Sequence, residues 1–207
     1  MVIIINDLGK PSPSLTSLFE ETRIQQVQFL DESAMIVELQ KVVFRQLDLK
    51  QESALFIYPG ESARRVRSLG FNGHFPWQEV FAKRIWFPGS DPVVLVHSMG
   101  WGIRPEIENV VVVDDVISSG ATIALVRARN GWKFPRATWY AAVPVTRKEK
   151  ISNYKKIFSC LMVRDVGGKK VPINSLSTLI ADPAVRQSYF ARNFEKGFEE
   201  KFLETLR

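Results

Sequence analysis

Residues 110–122 read V-V-V-V-D-D-V-I-S-S-G-A-T, and this stretch decides the fold class. Four consecutive valines are typical of a strand whose two faces are both covered by other elements. Two adjacent carboxylates follow the valines, and small hydroxyl residues around one glycine come next. Residues 121–129 then predict a helix that ends at Asn130-Gly131. A strand, a polar loop and a helix in this order form the repeating unit of an α/β fold.

Elements of the same kind are predicted on both sides of the valine strand. The apolar run A-L-F-I-Y ends in Pro59-Gly60, which indicates a buried strand followed by a turn. Further strands are predicted at 138–145 and 157–163, a hairpin from 83–87 and 93–97, and helices over 32–48, 61–68 and 183–206, the last as one helix or a pair. Because strands alternate with helices, we expect a twisted, mainly parallel sheet flanked by helices.

The loop after the valine strand has the composition of a phosphate site. The first N–H groups of a helix have no partner within the helix, and together with the helix dipole they attract anions. Gly120 would let the backbone approach an anion closely. Ser118, Ser119 and Thr122 add hydroxyl donors. The loop therefore predicts a cradle for a phosphomonoester.

The two carboxylates, Asp114 and Asp115, suit a sugar beside that cradle. Carboxylates accept hydrogen bonds, and the vicinal diol of a ribose offers two donors. The same oxygens would support a hard divalent ion, directly or through its waters. The alternative is that Asp114 caps the next helix and Asp115 forms a surface salt bridge. The combination of a strand, two acids, two serines, a glycine and a threonine favours a ribose that carries a 5-phosphate.

The overall charge favours an anionic partner. The chain of 207 residues has a formal net charge of +6, and its isoelectric point is about 9.5. Such an excess suits a polyphosphate metabolite or a nucleic acid. Lysine and arginine occur only in small clusters, without the coherent basic stripe of a nucleic-acid-binding domain.

The cysteine content and the apolar segments bear on the cellular compartment. Cys160 is the single cysteine, so an internal disulfide is excluded, and its apolar surroundings predict a core residue. The N-terminal apolar run is too short for a signal sequence, and no stretch approaches the roughly 18 apolar residues of a membrane span. We expect a soluble, cytoplasmic protein.

Residues 110–122 match, at every position, the phosphoribosyl-pyrophosphate (PRPP) signature of type I phosphoribosyltransferases, and the order of predicted elements resembles that family over about 50–165. The resemblance implies a single domain over 1–207, with its sheet core at about 50–165 and a small hood subdomain from the N- and C-terminal segments. It implies transfer of the 5-phosphoribosyl group from Mg²⁺-bound PRPP to a nucleobase or related acceptor, with release of pyrophosphate. It also suggests a homodimer.

The resemblance assigns roles to particular residues of the signature. Asp114 and Asp115 look like the pair that holds the ribose hydroxyls and supports the metal. The PRPP-binding residues it implies are Asp114, Asp115, Val116, Ile117, Ser118, Ser119, Gly120, Ala121 and Thr122.

Other family elements are placed by their position in the chain. A pyrophosphate loop is implied at Pro59, Gly60, Glu61 and Ser62, with Arg64 and Arg65 just behind it as sources of charge. A loop that closes over PRPP is implied within 71–107, where the candidate catalytic contacts are Lys83, Arg84 and Arg104. The base is expected near Val163, Arg164 and Asp165, and Trp77 and Trp101 are predicted to pack in the core or to stack on the base.

The acceptor and the activity both stay open. Family members that act on 6-oxopurines usually carry an aspartate where this chain has Ser118, which counts against a hypoxanthine or guanine acceptor and leaves pyrimidine, adenine or unusual acceptors open. The alternative to an enzyme is a regulator that senses PRPP without turnover, and only in that case is nucleic acid an expected partner. PRPP synthesis is disfavoured because it needs a duplicated domain.

Overall fold

The computed structural model describes residues 2–9, 12–22, 27–71, 74–85, 93–97, 100, 102–166 and 168–206. The elements are β1 (Val2–Asn6), α1 (Pro13–Glu20), β2 (Val27–Asp31), α2 (Glu32–Gln46), β3 (Ala54–Pro59), α3 (Gly60–Ser68), β4 (Trp77–Val80), β5 (Ala82–Ile85), β6 (Val93–Val96), β7 (Asn109–Val113), β8 (Val116–Ile117), α4 (Ala121–Asn130), β9 (Thr138–Thr146), β10 (Lys156–Met162), β11 (Ile173–Ser175), α5 (Leu176–Ala181), α6 (Pro183–Asn193) and α7 (Phe198–Thr205). A 3-10 turn at Gly131–Lys133 follows α4. In the described ranges, no helix has the length and apolar character needed to cross a membrane.

The chain divides into two compact units. Ile36–Val163 form the first, here called the core unit. Met1–Met35 and Arg164–Arg207 together form the second, here called the terminal unit.

The core unit is built on a parallel sheet. Its strand order is β10-β9-β7-β3-β4, and the short β8 also pairs with β9. Every pair in this sheet is parallel. The predicted α/β fold with a mainly parallel sheet is therefore confirmed.

The four valines of β7 are buried because both faces of the sheet are covered. Val110 and Val112 belong to a core cluster that contains Ile123 and Val126 of α4. Val111 and Val113 belong to a second cluster, which contains residues of α2 and α3. The side chains of successive strand residues point to opposite faces, so an uninterrupted valine run fits a strand between two helical layers.

The order of the strands reverses between β3 and β7. From β3 the chain passes through α3 to β4 on one side, and it later returns to β7 on the other side of β3. From there it continues outward to β9 and β10. In sheets of this type ligands bind beyond the carboxyl ends of the strands at such a reversal. The predicted pyrophosphate loop follows β3 and the acidic pair follows β7, so this topology brings both to the reversal.

The predicted hairpin is present as an antiparallel pair. β5 and β6 pair in a register that joins Ala82 to Val96 and Ile85 to Val93. The connection at 86–92 lies outside the described residues.

The terminal unit has a parallel sheet and an aromatic core. Its strand order is β11-β1-β2. Phe19 of α1 lies at the centre of a ring cluster with Phe29, Phe194, Phe198 and Phe202. The predicted C-terminal helix pair is confirmed as α6 and α7; Phe198 and Phe202 belong to α7, and Phe194 directly follows α6.

Cys160 does not lie in the core, so that prediction is wrong. The residue is exposed on β10, which is an edge strand of the sheet. Phe158 is the one buried residue of this strand. An apolar run in the sequence does not reveal that its strand lies at an edge, where fewer neighbours cover it.

Candidate functional site

Asp114 and Asp115 extend from the carboxyl end of β7 and are fixed by local hydrogen bonds. The backbone N–H of Asp114 donates to the carbonyl of Ala142 on β9 at 3.2 Å. Asp114 Oδ1 accepts from the N–H of Asp115 at 3.0 Å, and Asp115 Oδ1 accepts from the N–H of Val116 at 2.8 Å. The next helix has Gly120 at its N-cap, so Asp114 is not the cap of that helix.

Asp114 is a buried acid with a perturbed pKa. Only 7% of the residue is exposed. Burial raises the pKa of Asp114 well above the ordinary range, and the adjacent charge of Asp115 raises the pKa further. Hydrogen bonds from the N–H of Asp115 and the hydroxyl of Ser62 act in the opposite direction. The free protein therefore holds a carboxylate pair that would gain from a cation.

The substitution Asp114→Asn is expected to stabilise the free protein at neutral pH. A folded-state pKa above the unfolded value means that the wild type loses stability as pH rises from about 4 through the raised pKa. Asparagine does not titrate and keeps an acceptor for the same hydrogen bonds. We expect a gain of about 1–2 kcal/mol in the free energy of unfolding at pH 7.5, and little difference at pH 4.

Urea unfolding of both proteins at pH 4 and pH 7.5 measures this effect. Asp115→Asn, which lowers the pKa of Asp114 by removing the like charge, should give a smaller gain. A loss of stability for Asp114→Asn at pH 7.5 would contradict the account of the buried acid.

The first two turns of α3, which begins directly after β3, contact both acids. Ser62 Oγ donates to Asp114 Oδ1 at 3.2 Å. Arg65 Nη2 lies 3.7 Å from Asp115 Oδ2, with side chains that are 30% and 23% exposed. Ser62 was predicted as part of the pyrophosphate loop, and the structure thus brings that loop together with the acidic pair. The alternative predicted for Asp115, a salt bridge, is present in the structure. Its partner is Arg65, which lies on the same helix as Ser62.

Gly60 adopts a conformation that side chains disfavour. Its φ is +80°, and a Cβ atom at this position would lie 2.9 Å from the backbone oxygen of Ala82. The start of β5 therefore packs directly on the first residue of α3. Lys83 is the next residue of β5 and is exposed. The side chain of Arg84 lies outside the described part of the chain.

The predicted phosphate loop is an exposed turn at the start of α4. Ser118 and Ser119 are exposed, whereas Ile117 is buried and anchors the turn through the pairing of β8 with β9. Gly120, the N-cap residue, has a φ of +82° and no side chain of its own to cap the helix. Ser119 Oγ accepts from the N–H of Ala121 at 3.3 Å. An anion seated here would meet the first N–H groups of α4 and two hydroxyls.

Several predicted residues do not contact the acidic pair in this structure. Arg64 is 54% exposed, and its Nε donates to Glu79 of β4 at 2.8 Å. Arg104 pairs with Glu106, and its backbone N–H donates to the carbonyl of Lys133 at 2.6 Å. These bonds hold Arg104 at the 3-10 turn.

The residues predicted near the base are also distributed over the chain. Val163 is buried at the end of the core unit, where its N–H donates to the carbonyl of Thr146 at 2.8 Å. Arg164 is exposed and begins the terminal unit. Trp77 is 42% exposed, and the guanidinium of Arg67 lies 3.9 Å from its ring centroid. Trp101 lies outside the described residues.

Arg64 and Arg65 are predicted together as sources of charge and are not distinguished, although the helical spacing holds the signal that distinguishes them. Positions three apart lie on the same face of a helix. Ser62 and Arg65 share the face of α3 that meets the acids. Arg64 and Arg67 share a different face, on which both pair with Glu79.

The acidic pair fits a magnesium ion that is only partly held by protein. In the described residues, no cluster of three or more histidine, cysteine or acidic side chains could hold a metal alone. Mg²⁺ usually keeps several waters and binds through one or two carboxylates together with substrate phosphates. Asp114 and Asp115 supply such a partial set, and their mutual repulsion would be relieved by the cation.

Comparisons with known proteins give solved structures only. No family model matches the sequence, and no curated protein does. One similar structure is a hypothetical protein from Neisseria gonorrhoeae with bound ppGpp, at 19% identity and a TM-score of 0.47, covering 78% of this chain and 92% of that one. An adenine phosphoribosyltransferase from Rhodothermus marinus has 14% identity and a TM-score of 0.46, with 74% and 100% covered.

A purine phosphoribosyltransferase from Pyrococcus horikoshii has 14% identity and a TM-score of 0.44, covering 70% of this chain and 87% of that one. Solved phosphoribosyltransferases are thus among the structures to which the chain is similar.

Proposed function

We propose that this protein is a phosphoribosyltransferase, which transfers the 5-phosphoribosyl group of PRPP to a nucleobase or related acceptor and releases pyrophosphate. One observation carries the proposal. Two carboxylates at the end of β7 contact Ser62 and Arg65 of α3, and the same carboxylates are followed by the start of α4, whose N-cap residue is Gly120. A ribose 5-phosphate with a diphosphate at C1 needs these three kinds of site side by side.

Each part of the donor has a proposed set of ligands. Asp114 and Asp115 accept hydrogen bonds from the ribose hydroxyls. Backbone N–H groups and hydroxyls of residues 118–122 bind the 5-phosphate. The diphosphate is bound by the loop Pro59–Ser62 with its nearby arginines, and by Lys83, Arg84 and Arg104 on a closing segment.

The reaction breaks the bond between C1 and the diphosphate oxygen, and the electron pair leaves with pyrophosphate. A nitrogen of the acceptor then forms the new bond to C1 and loses its proton. Mg²⁺, held by Asp114 and Asp115 together with the donor, would neutralise charge on the leaving group. The backbone N–H groups and cations of the chain meet the same charge without having to reorganise. Closure over the donor would exclude water from C1.

The acceptor is proposed to bind near Val163 and Arg164, and the N- and C-terminal segments are proposed as the hood that selects the base. Members of the family that act on 6-oxopurines usually have an aspartate at the position of Ser118, where it handles the proton of the base. Ser118 is a poor base without a partner and does not suit such an acceptor. Pyrimidines, adenine or unusual acceptors fit better than 6-oxopurines. A homodimer is the proposed assembly.

Pyrophosphate release tests the function directly. The protein is incubated with Mg²⁺, PRPP and a panel of bases that includes uracil, orotate, adenine, hypoxanthine and guanine. We expect release that depends on one base of the pyrimidine or adenine group and is absent without base. PRPP binding without release for any base would indicate the sensor, and the absence of PRPP binding would overturn the proposed function.

A further inference from the structure

Helix α3 presents two pairs of polar side chains to two different neighbours. Ser62 and Arg65 face the strand-end acids. Arg64 and Arg67 both pair with Glu79, at 2.8 and 3.0 Å. Glu79 therefore holds two cations, whereas the acidic pair is met by Arg65, whose Nη2 lies 3.7 Å from Asp115 Oδ2. The helix thus directs Arg64 and Arg67 to Glu79 of β4 and directs Arg65 to the candidate site.

The contact between Arg65 and Asp115 is suited to exchange. It is longer than the 2.8 Å contact of Arg64 with Glu79, and both side chains are partly exposed. A contact of 3.7 Å is too long for a hydrogen bond, and partial exposure lets water compete for both charges. A metal ion that binds Asp115 would therefore displace the guanidinium at small cost. The displaced group would remain on the helix that begins at Gly60, within about one and a half turns of the proposed diphosphate loop.

We infer that Arg65 exchanges partners during the binding of the donor. It neutralises Asp115 in the free protein, and it turns to the diphosphate once a divalent ion occupies the acidic pair. This inference rests on the proposed function and deepens it, because it distinguishes Arg65 from Arg64 and couples the binding of the diphosphate to occupation of the acidic pair by a metal ion. The planar guanidinium suits both partners, since its paired N–H donors match carboxylate and phosphate oxygens alike.

The exchange predicts opposite effects on two ligands, which loss of structure would not produce. In Arg65→Gln, the acids lose their cation, so binding of Mn²⁺ to the free protein should tighten by about threefold. Binding of Mg²⁺-pyrophosphate should weaken by about tenfold or more, because one charge-assisted contact is lost. Arg65→Lys keeps the charge and should leave Mn²⁺ binding near the wild-type value, with an intermediate loss for pyrophosphate.

Mn²⁺ binding is followed by its paramagnetic resonance signal, and Mg²⁺-pyrophosphate binding by calorimetry, on the full chain. Arg45→Gln is the matched control, because it removes the same charge from an exposed position of α2. Arg64→Gln tests the neighbouring arginine and should lose less pyrophosphate affinity than Arg65→Gln. Unfolding curves establish that each variant is folded.

Wild-type pyrophosphate affinity in Arg65→Gln would overturn the inference, as would parallel weakening of both ligands or an equal loss in Arg64→Gln. These outcomes leave the proposed function intact, provided that the wild type binds PRPP. If the wild type binds neither PRPP nor pyrophosphate, the proposed function itself fails.

Discussion

Replacing both strand-end acids, Asp114→Asn with Asp115→Asn, is expected to abolish PRPP binding and leave the fold intact. The two carboxylates are the proposed acceptors for the ribose hydroxyls and the proposed protein ligands of Mg²⁺. Asparagine keeps the size of each side chain but removes the charge that a divalent ion needs. We expect PRPP affinity to fall by at least about a hundredfold, since hydrogen bonds to charged groups and a metal contact are lost together.

The fold should survive because Asp114 is already an unfavourable charge. Its burial and the repulsion from Asp115 both raise its pKa, so the double variant removes a cost of folding. Calorimetry with Mg²⁺ and PRPP measures the affinity, and urea unfolding measures the stability. Glu20→Gln with Glu21→Gln is the matched control, because it removes two adjacent exposed charges. Unchanged PRPP affinity in the acid variant would contradict the assignment.

The core of the fold could be predicted because its central strands are buried on both faces and consist of consecutive apolar residues. The valines of β7 and the run Ala54–Tyr58 of β3 carry a strong signal, since both faces of each strand are covered. β4 was missed, and its sequence W-Q-E-V shows why. It is the last strand on its side of the sheet, and its one buried residue is Val80. Edge strands tolerate polar residues, so the periodic signal is weak.

The site was predictable only within single loops. Asp114, Asp115 and the serines after them are adjacent in the sequence, so their shared chemistry is visible there. Ser62 and Asp114 are 52 positions apart, and only the pairing of β3 with β7 brings them to 3.2 Å. The choice between Arg64 and Arg65 depends in the same way on tertiary contacts, because the two residues are adjacent and chemically identical. Glu79 on β4 engages the first, and Asp115 engages the second.

The substitution Gly60→Ala is expected to destabilise the protein by about 3 kcal/mol and to weaken pyrophosphate binding. A non-glycine residue at a φ of +80° costs about 1–2 kcal/mol. The added Cβ would also lie 2.9 Å from the backbone oxygen of Ala82, and backbone cannot rotate aside as a side chain would. Overpacking of this kind costs about 1–3 kcal/mol more. To relieve this clash, the start of α3 must move away from β5. That movement would displace the backbone N–H groups that are proposed to bind the diphosphate.

Gly70→Ala separates the two causes. Gly70 has a φ of +96°, but a Cβ atom there would meet nothing within 4 Å. It should therefore cost only the conformational part, about 1 kcal/mol, and leave Mg²⁺-pyrophosphate binding unchanged. Urea unfolding and calorimetry on both variants give the comparison. Equal stability of the two variants would show that β5 does not pack on Gly60. The reason for expecting Lys83, the next residue after Ala82, beside the diphosphate would then be lost.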